Sequence, residues 1–278
     1  MIGPLLALGS ALTWGAADFA GGFLSRRLPS AAVVGVSQAC SLVVLLVLLP
    51  FFPTPASWGW LPWSIVAGLA GSLSLVLFYR ALAYGTVGVV SPISALCAAV
   101  PVAAGLASGE QPRAVQLVGI GVAMAGAVLA SGPEVRGAER VKAQAVWYSV
   151  AAAGGFGLTM LAIARGSAHS PMLTMVGMRA SSVIAFGVVA IALRTVGGIT
   201  ARDLPALTLL GVADVSANTL MGFASTFGLL SITAVLSALY PVVTVALAAA
   251  ILHERLKPIQ IAGVLLAFAG VALIAGGG

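Results

Sequence analysis

The sequence predicts an all-α integral membrane protein: ten transmembrane helices arranged as two inverted five-helix repeats. Three observations predict it. The first is composition. Of 278 residues, 60% are apolar and 7% are charged, and the mean hydropathy is +1.13. A soluble domain carries about 25% charged residues, so this chain cannot cover itself with a soluble surface. The second is length: apolar runs long enough to cross a bilayer follow one another with short breaks. The third is an internal echo. Residues 90–131 and 234–275 share one layout, and at a single fixed offset Glu110 falls on Glu254, Gln116 on Gln260, Gly119 on Gly263, Ala123 on Ala267, Gly126 on Gly270 and Leu129 on Leu273. Matches in one ungapped frame, each repeat half the chain long, indicate duplication.

Taken in order, the expected spans are 3–24, 31–51, 60–80, 87–108, 112–131, 144–165, 171–193, 204–227, 231–252 and 257–276. The first has no basic segment before its apolar run, and about 22 residues at about 1.5 Å each suffice to cross. It reads as a helix rather than a cleaved leader. Pro29-Ser30 opens the second span and Phe52 to Pro55 close it. Trp58, Trp60 and Trp63 fit an interfacial aromatic belt before the third. Arg80 and two glycines separate spans three and four, and Gly228 alone separates eight from nine. The most polar stretch carries Glu134, Arg136, Glu139, Arg140 and Lys142. It divides the chain into a first repeat at 1–131, a linker at 132–143 and a second repeat at 144–278.

Five spans per repeat is an odd number, so the second repeat enters the membrane from the opposite side. Charge orients the whole. The side reached after the first span receives Arg26, Arg27, Arg80, Arg136, Arg140, Lys142, Arg194, Arg202, Arg255 and Lys257, and the other receives Arg113 and Arg165. The basic side is expected to be cytoplasmic, with both termini outside.

Several function classes are excluded. The net charge of +6 is spread singly between apolar runs, not clustered as a nucleic-acid interface requires. Cys40 and Cys97 lie inside apolar spans with no CxxC and read as packing residues. His169 and His253 lie far apart near loops, so no metal site is expected. There is no GxxxxGK[ST], no HExxH and no Ser-His-Asp set, so neither an ATPase nor a hydrolase is expected, and no cofactor.

Ionisable groups within spans are costly and mark function by default. Asp18 lies about six residues inside the basic end of span one. It reads either as a cation or proton site in a cavity or as a carboxylate reaching the interface. Asp214 sits near the middle of span eight, with Asn218 one turn further on the same face and Ser225 beyond. A carboxylate at that depth fits a water-filled cavity and a proton carrier, or a structural interhelical bond. Arg179, in span seven, can hold an anionic substrate group or pair with Asp214 or Asp18. Gln38 occupies roughly the corresponding place in the first repeat. Tyr240-Pro241 sits mid-span, where proline frees a carbonyl and bends a helix. Ser237 and Tyr240 can then offer hydroxyls to a substrate; Ser91, Pro92 and Ser94 are the first-half counterpart. Trp14 is a candidate cavity wall. Glu110 and Glu254 read as helix-end features, because a charge costs least there. Gly119-x3-Ala123 and Gly263-x3-Ala267 are small-residue pairs for close helix packing, within the chain or between protomers.

These residues together resemble the EamA family of the drug/metabolite transporter superfamily. The match rests on Ser237-Ala-Leu-Tyr-Pro241, Glu254-Arg-Leu256 and Gly263 in the second half, and on Ser91-Pro-Ile-Ser-Ala95, Glu110 and Gly119 in the first. Tyr79-Arg-Ala-Leu82 and Trp14-Gly15 also fit. The resemblance spans essentially the whole chain. The first half departs from it where Cys97 stands in place of Pro241 and Gln111 in place of Arg255, which puts the first-half kink in question. The resemblance implies a multi-pass protein of the inner (plasma) membrane, bathed in membrane lipid. It implies export of a small metabolite, amino acid or drug by alternating access at a midplane site lined by helices one, three, four, six, eight and nine. The expected partners are a small-molecule substrate and protons, with no nucleic acid, in a monomer or homodimer. Uptake of sugars is the rival within transport, and a non-transporting membrane scaffold the rival outside it.

Overall fold

The computed structural model describes residues 2–24, 28–55, 57–84, 87–132, 143–195, 197–251 and 256–277. Most of the polar linker, Arg26, Arg27, His253, Glu254 and Arg255 lie outside the described residues. Every regular element among the described residues is helical. In order they are α1 (Ile2–Leu24), α2 (Ser30–Leu48), α3 (Trp60–Tyr84), α4 (Val87–Ser94), α5 (Ala99–Ala107), α6 (Ala114–Ala130), α7 (Ala143–Ser167), α8 (Pro171–Leu193), α9 (Leu204–Thr226), α10 (Leu230–Ser237), α11 (Tyr240–Ile251) and α12 (Pro258–Gly276).

Among the described residues, eight stretches are long and apolar enough to cross a membrane: Ala31–Phe51, Trp60–Phe78, Val90–Ala107, Ala143–Ser167, Pro171–Ala192, Leu204–Thr226, Leu230–Ile251 and Pro258–Gly276. The apolar α6 is shorter, at 17 residues or about 26 Å. The 23-residue α1 carries Asp18 and stands outside the eight. The outward faces are studded with large apolar side chains, among them Leu5, Val47, Ile191, Leu209 and Phe268, each well over half exposed. That surface suits lipid, not water.

Helix ends are satisfied locally. The backbone N–H of Arg113 donates to Gln116 Oε1 at 2.9 Å, and that of Lys257 to Gln260 Oε1 at 2.9 Å. The two glutamines matched in the sequence thus do the same work at the starts of α6 and α12. Pro171 opens α8, where its missing N–H is no loss, and Ser170 accepts from the Leu173 N–H at 3.3 Å. Before α9, Thr200 donates to Asp203 Oδ2 from its N–H (2.9 Å) and its hydroxyl (2.7 Å). These bonds hold the Asp203 carboxyl below the usual carboxylate range.

Helices from the two halves pack on each other. α1 lies on α9 and on α10–α11, as α7 lies on α3 and on α4–α5; α2 bridges α8 and α9, α3 lies on α8, and α6 runs along α12. Contact between α6 and α12 is backbone to backbone. A Cβ on Gly126 would sit 2.4 Å from the Ala267 nitrogen, and one on Gly263 would sit 2.1 Å from the Ala130 nitrogen. Here the small-residue pairs serve packing within one chain.

Two helices break near mid-membrane. α4 passes through a 3-10 turn, Ala95–Ala98, into α5. α10 stops at Ser237 and α11 begins at Tyr240. The breaks stand at matching places. Pro241 lies in the first turn of α11, where proline is tolerated, and Pro92 lies inside α4, two residues before its end. In the second half the break falls in the turn before Pro241, whose ring leaves the Ser237 carbonyl without its helical donor; in the first half α4 runs on through Pro92 to Ser94 and the break follows, with Cys97 in the place of Pro241.

Substituting leucine for Gly126 or Gly263 forces two backbones apart and is expected to cost about 1–3 kcal/mol of stability. Thermal melts in detergent check this against Gly121→Ala, where a Cβ meets nothing within 4 Å and no loss is expected.

Candidate functional site

Along α1, Ala7, Ala11, Trp14 and Asp18 recur at helical spacing and form one stripe. The stripe faces α9, α10 and α11. Ala7 is 0% and Ala11 2% exposed, Trp14 is half-buried, and Asp18 is exposed. The stripe is therefore tightly packed toward its Ile2 end and accessible at Asp18. All ten residues from Leu230 to Leu239 are buried on the packed side.

Beside the accessible end, donors converge on Asp214 of α9. Arg179 of α8, 1% exposed, donates from Nη2 to Oδ2 at 2.5 Å. Trp14 donates its indole N–H to Oδ1 at 3.2 Å. Asn218, one turn along, donates to Oδ1 at 3.3 Å and to the Asp214 carbonyl at 2.7 Å. The Asp214 side chain is 34% exposed, so one edge of this cluster stays accessible. A buried guanidinium has to be paired, and this pairing is Arg179's only ion pair among the described residues. Of the sequence-level alternatives for Arg179, the partner is Asp214 and not Asp18.

Asp18 has no hydrogen-bond or ion-pair partner among the described residues. It lies close enough to Asp214 for the two charges to repel, and within electrostatic reach of Cys97 and Tyr240. Tyr240 packs edge-on against Trp14, with ring centroids 6.2 Å apart at 70°. Thr244 ties the two helices by donating to the carbonyls of Tyr240 (3.1 Å) and Gly15 (3.2 Å). Gly15 is needed there: a Cβ would come 2.8 Å from the Tyr240 carbonyl oxygen.

The structure thus gathers Trp14, Asp18, Arg179, Asp214, Asn218 and Tyr240. No hydrogen bond joins the other sequence candidates to this cluster. Ser237 is buried on the packed side and donates to the Ala7 carbonyl at 3.4 Å. Ser94 is buried and Ser91 half-buried, and the Gln38 Oε1 is buried without a protein donor. Ser225 donates back to Gly222 of its own helix. Cys97 packs with its sulfur 4.0 Å from that of Met160. No metal-binding group of side chains occurs among the described residues.

One residue does more than its place at a span end suggests. Glu110, read as a helix-end charge, reaches across to the other half and accepts from the N–H groups of Leu230 (2.5 Å) and Ser231 (3.0 Å). A signal for it was present. α10 starts after Leu229, a residue that cannot cap, so its first N–H groups need an acceptor from elsewhere.

A solved structure superposes on the chain with a TM-score of 0.76 at 17% identity, covering 98% of this chain and 94% of that one. That likeness speaks to the fold. No curated protein matches the chain. A family model, described as the EamA-like transporter family, matches residues 1–132 and 143–276. With nearly its whole length matched, this multi-pass membrane protein belongs to the EamA-like transporter family.

Proposed function

We propose that the chain is a secondary transporter that exports a small polar or amphipathic metabolite across the cytoplasmic (inner) membrane by alternating access. The observation that carries this reading is the cluster at the end of a one-sided opening: Arg179 and Asp214 paired, Trp14 and Tyr240 as aromatic walls, and Asp18 unpaired beside them. A scaffold gains nothing from ionisable groups facing open space inside a bundle, whereas a carrier needs them.

The architecture in this reading is ten spans as two inverted five-helix repeats. Support comes from the two stretches matched by the family model, on either side of 133–142, and from the reciprocal packing of α1 with α9 and α7 with α3. The opening lies toward the end of α1 that the basic residues share, so the positive-inside rule places its mouth in the cytoplasm. A substrate would enter there and leave from the opposite face after the bundle rocks.

The chemistry divides between the two carboxylates. Asp214 has its charge matched by Arg179 and its oxygens occupied by Trp14 and Asn218. Asp18 has no such partner and is the group left to take a proton or a cation. The coupling role expected of Asp214 from its depth therefore passes to Asp18, with Asp214 and Arg179 as the fixed frame.

Cells overproducing the protein are expected to release more of at least one small metabolite than cells lacking it. An untargeted comparison of culture media checks this, and indistinguishable media would count against export. With that metabolite in proteoliposomes, Asp18→Asn is expected to lose most pH-gradient-driven flux while retaining substrate exchange. Full pH-driven flux in Asp18→Asn would remove Asp18 from the coupling step.

A further inference from the structure

We infer that Glu110 is the latch that holds the Ile2 face of the bundle shut, and that this face opens only when the Glu110 carboxylate leaves the start of α10. Glu110 lies in the turn after α5, and its two oxygens take the N–H groups of Leu230 and Ser231, 2.5 and 3.0 Å away. A carboxylate there meets the positive end of the helix dipole and satisfies two donors that helix geometry leaves over. The bond spans the two halves of the chain.

Its surroundings are built for it. Gly105 of α5 lets the carboxylate lie against the helix backbone, since a Cβ at 105 would sit 2.4 Å from Glu110 Oε2. The Glu110 N–H donates to the Gly105 carbonyl at 3.0 Å, which fixes the turn. Arg165 at the end of α7 donates to Ser108 Oγ at 2.7 Å in the same turn. Below the latch, α10 plugs the bundle: Ser231 and Ser237 are 0% exposed, and Ser237 bonds to the Ala7 carbonyl of α1. Leu229, the residue before α10, has no side chain that can cap it, so the start of α10 depends on a side chain from the other half. The inference rests on the alternating-access reading, because only a carrier needs to release this plug.

The test is reagent access, which requires no substrate. Cys40 and Cys97 are first replaced by alanine, and Ser237→Cys is introduced as a reporter on the shut side. Ser149→Cys, 0% exposed in α7, is made separately as a reporter of general unfolding. An impermeant maleimide is applied from the Ile2 face of oriented vesicles. Three releases of the latch are compared: Glu110→Ala, Leu230→Pro and Gly105→Ala. Leu230→Pro deletes one donor at a position where proline suits the helix start and the preceding residue is already extended. Gly105→Ala keeps the charge but displaces it. The latch predicts at least tenfold faster labelling of Ser237→Cys in Glu110→Ala and Leu230→Pro, a smaller rise in Gly105→Ala, and no change at Ser149→Cys. The inference is overturned if Ser237→Cys stays as slow as in the parent. It is equally overturned if Ser237→Cys reacts only together with Ser149→Cys in every variant, since Glu110 is then a staple of the whole fold. Neither result bears on whether the chain carries a substrate, so the latch can fail while the transport reading stands.

Discussion

A guanidinium 1% exposed in a membrane-crossing helix has to find a counter-charge, and in this chain Arg179 finds it in Asp214. That one pairing fixes much of what surrounds it. It sets α8 against α9 at a defined height. It commits both oxygens of Asp214, with Trp14 and Asn218 taking what Arg179 leaves. Through Trp14 it reaches α1, and through the Trp14–Tyr240 contact it reaches the broken helix α10–α11. Three elements that would otherwise meet only through apolar contacts are thus registered by directional bonds, which apolar packing in lipid cannot supply.

With those charges matched, Asp18 stands out by contrast. It shares a stripe with Ala7, Ala11 and Trp14, yet only its end of the stripe is open. In the proposed alternating-access reading, this asymmetry corresponds to one of the two states of a carrier. The Glu110 contact with α10 sits on the packed side and links the two halves of the chain, and the close α6–α12 pair stands beside it as a rigid support. Rigidity and release are therefore assigned to different places: backbone contact at Gly126 and Gly263, a single carboxylate at Glu110.

Much of this was legible in the sequence, for identifiable reasons. Composition and run lengths announce membrane helices because lipid tolerates little else. Asp18, Arg179, Asp214 and Asn218 were visible because charged and carboxamide groups within spans are costly, so each is there for cause. Partner choice was not visible. Whether Arg179 meets Asp18 or Asp214 depends on which helices adjoin, and the spacing within one helix does not encode that. The serines carry less information, because a hydroxyl can satisfy itself on a nearby carbonyl, as Ser225 does on Gly222 and Ser41 on Gln38. The prolines pointed to the right helices: the second-half break lies in the turn before Pro241, whereas α4 runs on through Pro92 before the first-half break. Glu110 was passed over because charges at span ends are cheap, and only the uncapped start of α10 shows what it is for.

The Arg179–Asp214 pair frames the site, and a double-mutant cycle on stability and transport tests that most directly. Asp214→Leu strands the buried Arg179 guanidinium and should cost about 3–5 kcal/mol in detergent unfolding, and Arg179→Met, which leaves the part-exposed Asp214 carboxylate, should cost less. The double variant should regain most of that stability, because no charge is then stranded, and should still fail to transport. Two single variants as stable as the parent, or a double variant with full transport, would contradict the claim that this pair frames the site.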